Sequence, residues 1–404
     1  MTAAAKIDPT HRPEDRAQVL NARRNLKMAR SAHAYVRGST VKFYEWLDGA
    51  TGKVPEGPSV WICGDCHVGN LGPLADAKGR VAVQIRDLDQ TVIGNPAHDL
   101  IRLGLSLASA ARGSDLPGVT TARILEQMVA GYETALAGDF DGGYSGYQPG
   151  RIQKLLKRSV RRRWRHLAVE RLENVKPTIP LGKKFWSLDR AERAAVAELC
   201  ESEEVRAMVT ALKHRGSDDP VEMIDAAYWM KGCSSLGRLR YAVMMRIGKG
   251  DRASHCLVDV KEGVTAAAPR ALDAAMPRDN AVRVVTGAKA LSPNLGERMA
   301  AARLLDRGVV LRELTPQDLK MEVDRLTDDE APALAAYLAG VVGHAHGRQM
   351  DAETRAAWAG VLAKARTASF DAPSWLWSSV VDLLAIHERA YLDHCRRFAL
   401  AASA

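Results

Sequence analysis

Apolar positions in this chain change their period several times, and the changes divide it. From Lys27 to Trp46 they recur at helical spacing (Met28, Ala32, Tyr35, Val36, Phe43, Trp46), and Arg37-Gly38 interrupts them, which predicts a kinked or broken helix. The preceding residues 1–25 read as a polar lead-in. Two short β-type runs follow, one ending on Cys63-Gly-Asp65 and one on Arg86-Asp87-Leu-Asp89. Leu100 to Arg112 reads as a buried helix ended by Gly113, and Thr121 to Leu136 as an amphipathic one with a Thr cap. Gly138 to Gly150 carries the glycines and proline of a flexible connection. Arg151 to Leu172 then alternates an apolar side (Ile152, Leu155, Leu156, Trp164, Leu167) with a basic face.

The period drops to two after Ala226. Leu239, Tyr241, Val243, Met245 and Ile247 alternate with smaller or more polar neighbours, Gly248-Lys-Gly-Asp251 makes a hairpin turn, and His255 to Glu262 forms the next strand. Residues 267–306 are helical in composition with proline breaks. Val309 to Leu314 is a short strand stopped by Thr315-Pro316, and Ala331 to Met350 and Ser374 to Leu400 are long amphipathic helices. The organisation expected is a lead-in at 1–25, a helical lobe from 26 to 220, a small sheet-bearing lobe at 221–315, and helices from 316 to 404 that complete the helical lobe.

Composition changes this picture little. With 404 residues, 47% hydrophobic and 26% charged, the chain can bury a large core, and no apolar run reaches the length of a membrane span. No apolar signal core opens it, and six scattered cysteines make no disulfide framework, so a reducing, cytoplasmic location is expected, with no membrane partner. The net charge of +9 favours anionic ligands such as nucleotides, but the basic residues form no nucleic-acid motif, and a nucleic-acid role is not expected.

The chemistry concentrates in Trp61-Ile-Cys-Gly-Asp65-Cys-His67-Val-Gly-Asn70 and in the strand ending at Asp87. Two strand ends bearing carboxylates, with an amide between them, suit the gathering of oxygens round a phosphate-bound metal. The order resembles the catalytic and metal-binding loops of kinase-like phosphotransferases, above all the aminoglycoside and choline kinase branch. That resemblance implies Asp65 as the base and Asn70 and Asp87 as metal ligands, with Asp89 as a further ligand or a turn cap. Asp99 would cap the next helix and brace the loop. Gly232-Cys-Ser-Ser-Leu-Gly237 followed by two strands is similar to a glycine loop over phosphates, which brings in Gly232, Ser234, Ser235 and Gly237. Lys261 would be the phosphate-pairing lysine, Glu313 and Leu314, on the strand between lobes, would also bind the nucleotide, His67 would touch substrate or phosphate, and Arg37 is either a salt-bridged structural residue or a clamp on phosphate or carboxylate. The helix near Asn280 to Leu291 lacks the Glu that usually holds such a lysine, leaving Glu297 and Glu262 as candidates.

These motifs stand in an unusual order, catalytic loops first and lysine later, which a circular permutation of the chain reconciles. With Met28-Ala-Arg-Ser-Ala-His-Ala-Tyr-Val-Arg-Gly38, Leu311-Arg-Glu-Leu and Gly343-His-Ala-His346, they resemble the bacterial family labelled domain of unknown function 2252. The resemblance implies an α+β, two-lobed, circularly permuted protein-kinase-like fold. It also implies an ATP- and Mg²⁺-dependent phosphotransferase acting on an unidentified small-molecule or protein hydroxyl. Rival readings are a nucleotide-binding pseudokinase and a nucleotidyl transferase on the same fold. Two more start from Cys63, Cys66 and His67: a zinc site, which wants a fourth ligand, and a c-type haem attachment, which wants export.

Overall fold

Period-two alternation between residues 221 and 314 does build a sheet, but the sheet recruits more of the chain than that segment. The structure is a computed structural model and describes residues 12–50, 52–140, 148–172, 177–212, 214–231, 236–250, 253–321, 326–364 and 366–400. Its opening helices are α1 (Pro13–Met28), α2 (Ala32–Gly38) and α3 (Thr40–Gly49). Two small hairpin-like pairs follow: β1 (Val60–Ile62) with β4 (Val92–Gly94), and, between them in sequence, β2 (Leu71–Ala75) with β3 (Val81–Ile85). Next come α4 (Pro96–Arg112), α5 (Gly118–Ala137), α6 (Gly150–Val160) and α7 (Trp164–Leu172). The sheet layer contains β5 (Phe185–Trp186), α8 (Arg190–Glu201), α9 (Glu203–Thr210), β6 (Val221–Trp229), β7 (Arg240–Ile247) and β8 (Ser254–Glu262). It continues through α10 (Asn280–Leu291), α11 (Pro293–Gly296), β9 (Met299–Leu304) and β10 (Arg307–Leu314), and α12 (Glu330–Gly347), α13 (Ala352–Lys364) and α14 (Ser374–Phe398) close the chain.

The six-stranded sheet runs β5-β6-β7-β8-β10-β9, every pair antiparallel. Side chains alternate between its faces. Tyr241, Val243, Val258, Val260 and Leu311 pack on one face with Val196 of α8, Val205 of α9 and Leu20 of α1. Ala242, Met244, Leu257 and Leu314 pack on the other with Leu167 and Leu172 of α7.

The helical body centres on α4, whose residues from Pro96 to Ala111 are all buried. Helices α5 and α12 cross very closely: a Cβ on Gly131 would lie 2.0 Å from the Ala336 carbonyl oxygen, so only glycine fits there. Helix α10 lies between the two layers, with Val284 and Ala288 in the core of the helical body and its length against β9 and β10.

Several expectations differ from this arrangement. Of the polar lead-in, residues 1–11 lie outside the described residues, and from Pro13 on it is helix α1, because Arg16 and Leu20 give it a buried stripe against the sheet layer. The helix over 27–46 is three helices, and that over 151–172 is two, broken at Arg161–Arg163, where the Arg163 N–H donates to His166 Nδ1 (2.9 Å). The sheet layer draws in Trp186, Val196 and Val205 from before residue 221, and a strand, β9, replaces part of the helical reading of 267–306. Of the connection from Gly138 to Gly150, residues 141–147 lie outside the described residues, as does Asp251 of the β7–β8 turn. No helix among the described residues is long and apolar enough to cross a membrane.

Candidate active site

The loop leaving β1 is pinned from below. Asp99 of α4 is fully buried and accepts from the backbone N–H groups of Cys63 (2.7 Å) and Gly64 (2.9 Å) and from His346 Nε2 (3.2 Å). Behind it, Trp358 Nε1 donates to Tyr132 Oη (3.2 Å), and Tyr132 pairs with His346 Nδ1 (2.9 Å). Donors therefore point one way along the chain, and Asp99 is its terminal acceptor. Asn95, not Asp99, caps α4, its side-chain oxygen accepting from the Ala97 N–H (2.9 Å). Gly64 has φ +72° and its Cβ position is 2.1 Å from the Gln90 carbonyl oxygen, so the turn that presents Asp65 requires glycine.

Asp65 emerges from this loop with Oδ1 accepting from Arg102 Nε (2.9 Å) and Oδ2 4.0 Å from His67 Nε2. Burial pushes its carboxyl above the usual range, against the opposing pull of Arg102. Burial and the Arg37 charge hold His67 well below its ordinary value, which keeps the imidazole neutral. Asn70 donates Nδ2 to the Asp65 carbonyl (3.0 Å), which ties the loop's two ends together.

The strand β3 delivers the second carboxylate. Asp87 lies 3.7 Å from Lys261 Nζ, and the same ammonium donates to Asp89. Burial raises the Asp87 carboxyl, but Lys261, Arg240 and Arg312 outweigh it and hold Asp87 below the usual carboxylate range. Asp89 moves up, through burial and its Asp87 neighbour. The acids that meet Lys261 thus come from the segment after β3 and not from a helix. Glu297 instead accepts from the Ala77 N–H (3.1 Å), and Glu262 from the Leu239 N–H (3.1 Å) and Arg307. In the place of a helix Glu, α10 offers Arg283, which donates to the carbonyl oxygens of Asp89 (3.0 Å) and Val264 (2.8 Å) and to that of Thr91.

Asp65, His67, Asn70, Asp87 and Arg37 line one cleft of about 500 Å³. The Arg37 guanidinium rests on Gly69, where a Cβ would come within 2.9 Å of its Cζ. Lys261 and Asp89 are not among the residues lining this cleft; Lys261 adjoins it through Asp87, 3.7 Å away. Gly237 turns against α1, its Cβ position 3.7 Å from Ala17, and is not among the cleft's lining residues. Glu313 is also elsewhere: it shares strand parity with Leu311 and is buried in an ion pair with Arg215 (2.8 Å). Leu314 faces the α7 side and packs with Leu257 in the apolar layer. Gly232, Ser234 and Ser235 lie outside the described residues.

The spacing of motifs missed Lys231, Arg240, Asp259 and Arg312, which also line the cleft. Asp259 accepts from Arg240 Nε (2.8 Å) and lies 3.5 Å from Lys231 Nζ. The available signal was parity, since Arg240 and Asp259 are charges at inward-facing positions of alternating strands.

The zinc set does not assemble as expected. Cys63, Cys66 and Asp99 have ligand atoms within 4.8 Å of one another, but His67 faces the cleft, and both Asp99 oxygens already accept hydrogen bonds. The hydrogen bond to Cys66 and burial push the Cys63 thiol well up, so it stays protonated.

The family model described as "Uncharacterized protein conserved in bacteria (DUF2252)" matches residues 16–397. No curated protein and no solved structure matches the chain.

Proposed function

The chain belongs to this uncharacterised bacterial family, DUF2252, and we propose that it is a kinase-like, ATP- and Mg²⁺-dependent phosphotransferase acting on a hydroxyl acceptor. One observation carries the reading: Lys261 reaches Asp89, 172 residues away in sequence, and comes within 3.7 Å of Asp87 beside the loop that holds Asp65. A lysine on β8, the fourth strand of the sheet and the third after the two-residue β5, a helix after that strand, and an aspartate facing it are arranged like the parts of a kinase cleft. The strand sequence β6, β7, β8, β10, β9 with α10 after β8 agrees with this, the sheet layer acting as a small lobe and the helical body as a large one.

Permutation is supported by the meeting of the outer helices. Tyr391 of α14 donates to the Ala29 carbonyl (3.2 Å), and His394 bonds the Asn25 carbonyl (2.8 Å), so α14 and α1 adjoin in space.

The donor set suits Mg²⁺. Asp87 is half exposed with a depressed carboxyl, and Asn70 spends its amide N–H on Asp65 and keeps its oxygen as a hard ligand. Asp87 and Asn70 would hold Mg²⁺, which when bound would supply charge neutralisation at the phosphate oxygens. Lys261 orients the phosphates, and Asp65 accepts the acceptor's proton as its oxygen bonds to the terminal phosphorus and the anhydride P–O bond breaks. Arg102 holds Oδ1 and with it the Asp65 rotamer. With water as default acceptor, Mg²⁺-dependent ATP turnover by the wild type that disappears in Asp87→Asn is expected. Turnover unchanged in that variant would remove the assignment.

A further inference from the structure

The cleft roof is a poor seat for an aromatic base. Two residues before Lys261, the same face of β8 carries Asp259, buried and held bidentate by Arg240 with Lys231 alongside. Arg312 borders it from β10, opposite Asp259 in register. Where the face turns apolar, at Ala242, Met244, Leu257 and Leu314, it is already covered by Leu167 and Leu172 of α7.

The backbone edge of the segment joining the two layers is also taken. Arg162 Nε donates to the Pro316 carbonyl, and Ser159 Oγ to the Gln317 carbonyl. A base recognised by stacking and by backbone hydrogen bonds needs an apolar slot and such an edge. Here α7 occupies the slot, and Ser159 of α6 with Arg162 of the α6–α7 break occupies the edge.

Among the described residues, what remains open is charged. Eight Lys or Arg side chains and four carboxylates line the cleft. Among the described residues, Arg86 Nε is buried and lacks a hydrogen-bond partner. Buried guanidinium groups around a metal-binding carboxylate suit phosphate oxygens, not a ring.

We infer that the cleft recognises the linear triphosphate of its donor and is blind to the base, so that inorganic tripolyphosphate and any nucleoside triphosphate are equivalent ligands. This rests on the assignment of the cleft to a phosphoanhydride donor. With tripolyphosphate the transfer balances as before: the acceptor oxygen bonds to a terminal phosphorus, the anhydride bond breaks, pyrophosphate leaves in the place of ADP, and the proton goes to Asp65.

The test is calorimetric titration of the full chain with tripolyphosphate, ATP and CTP, each with Mg²⁺, and with adenosine. The expectation is three dissociation constants within about threefold of one another and no heat from adenosine, since every tenfold is only about 1.4 kcal/mol. Lys231→Gln weakens all three by a common factor. ATP binding more than tenfold tighter than both tripolyphosphate and CTP, or Lys231→Gln weakening ATP alone, overturns base-blindness while leaving the phosphotransferase reading in place. No binding of any triphosphate overturns both.

Discussion

Replacing Asp99 by Asn changes one oxygen to an NH₂ group at a point where every neighbour is a donor. The carboxylate accepts from Cys63 N–H, Gly64 N–H and His346 Nε2, at 2.7, 2.9 and 3.2 Å. The His346 tautomer follows from the chain behind it. Trp358 donates to Tyr132, so the Tyr132 hydroxyl hydrogen goes to His346 Nδ1, and Nε2 carries the proton. An amide keeps one acceptor and sets its own N–H against the rest. At least one buried donor is orphaned, at about 1–3 kcal/mol, and the surviving bond loses its charge assistance, about 1 kcal/mol more. The sum is about 2–4 kcal/mol, with no change in side-chain volume. Urea unfolding followed by circular dichroism reads it as a lowered midpoint at constant m. The Asp65 loop loses its anchor as well, so ATP turnover falls about 100-fold, more than ATP binding does. A midpoint within about 0.5 kcal/mol of the wild type would refute the view that Asp99 is the sole acceptor at the end of a one-way chain.

Three further expectations follow from individual contacts. Asp65→Asn lowers turnover by about 10²–10⁴, and the wild-type acid limb, lost as pH falls through the raised Asp65 value, lies above the ordinary Asp range and is missing from the variant's profile. Asp318, almost fully buried, accepts from Arg298 Nη2 (3.0 Å) and Arg312 Nη2 (2.9 Å), and these cations outweigh burial and hold it below the usual range. Its contribution is complete above the unfolded value of about 4 and is lost as pH falls toward the lower folded one. Asp318→Asn therefore costs about 3–5 kcal/mol at pH 7 by leaving Arg298 buried without its carboxylate, and urea midpoints measured between pH 5 and pH 3 fall less steeply than in the wild type. Gly69→Ala forces the Arg37 guanidinium off the loop and weakens triphosphate binding about tenfold with the urea midpoint unchanged; a lowered midpoint with intact binding would assign Arg37 to the fold instead.

Asp65, Asn70 and Asp87 were legible because they are local: short strands end on them, and the loops between are too short to send them apart. Lys261 was legible through strand alternation in a hairpin of fixed register. Its ion-pair partner was not, because Asp89 meets it only through the packing of the small hairpins under the sheet, while Glu297 and Glu262 bond elsewhere. Glu313 was misassigned by one residue of parity: Arg312 and Leu314 face the α7 side of the sheet while Glu313 follows Leu311 to the opposite layer. Helix α1 hid behind its polarity, since a stripe as narrow as Arg16 and Leu20 suffices when the arginine is matched by Glu192 (2.6 Å). The break at Arg161–Arg163 left no trace in the sequence, arginine being a good helix former.

The most direct test of the central claim is calorimetry of ATP binding with and without Mg²⁺ on the wild type, Lys261→Ala and Asp87→Ala. Binding that requires Mg²⁺ in the wild type and is lost in both variants is the result expected if β8 and the end of β3 form one phosphate-binding cleft. Binding that is independent of Mg²⁺, or undiminished in either variant, would contradict it.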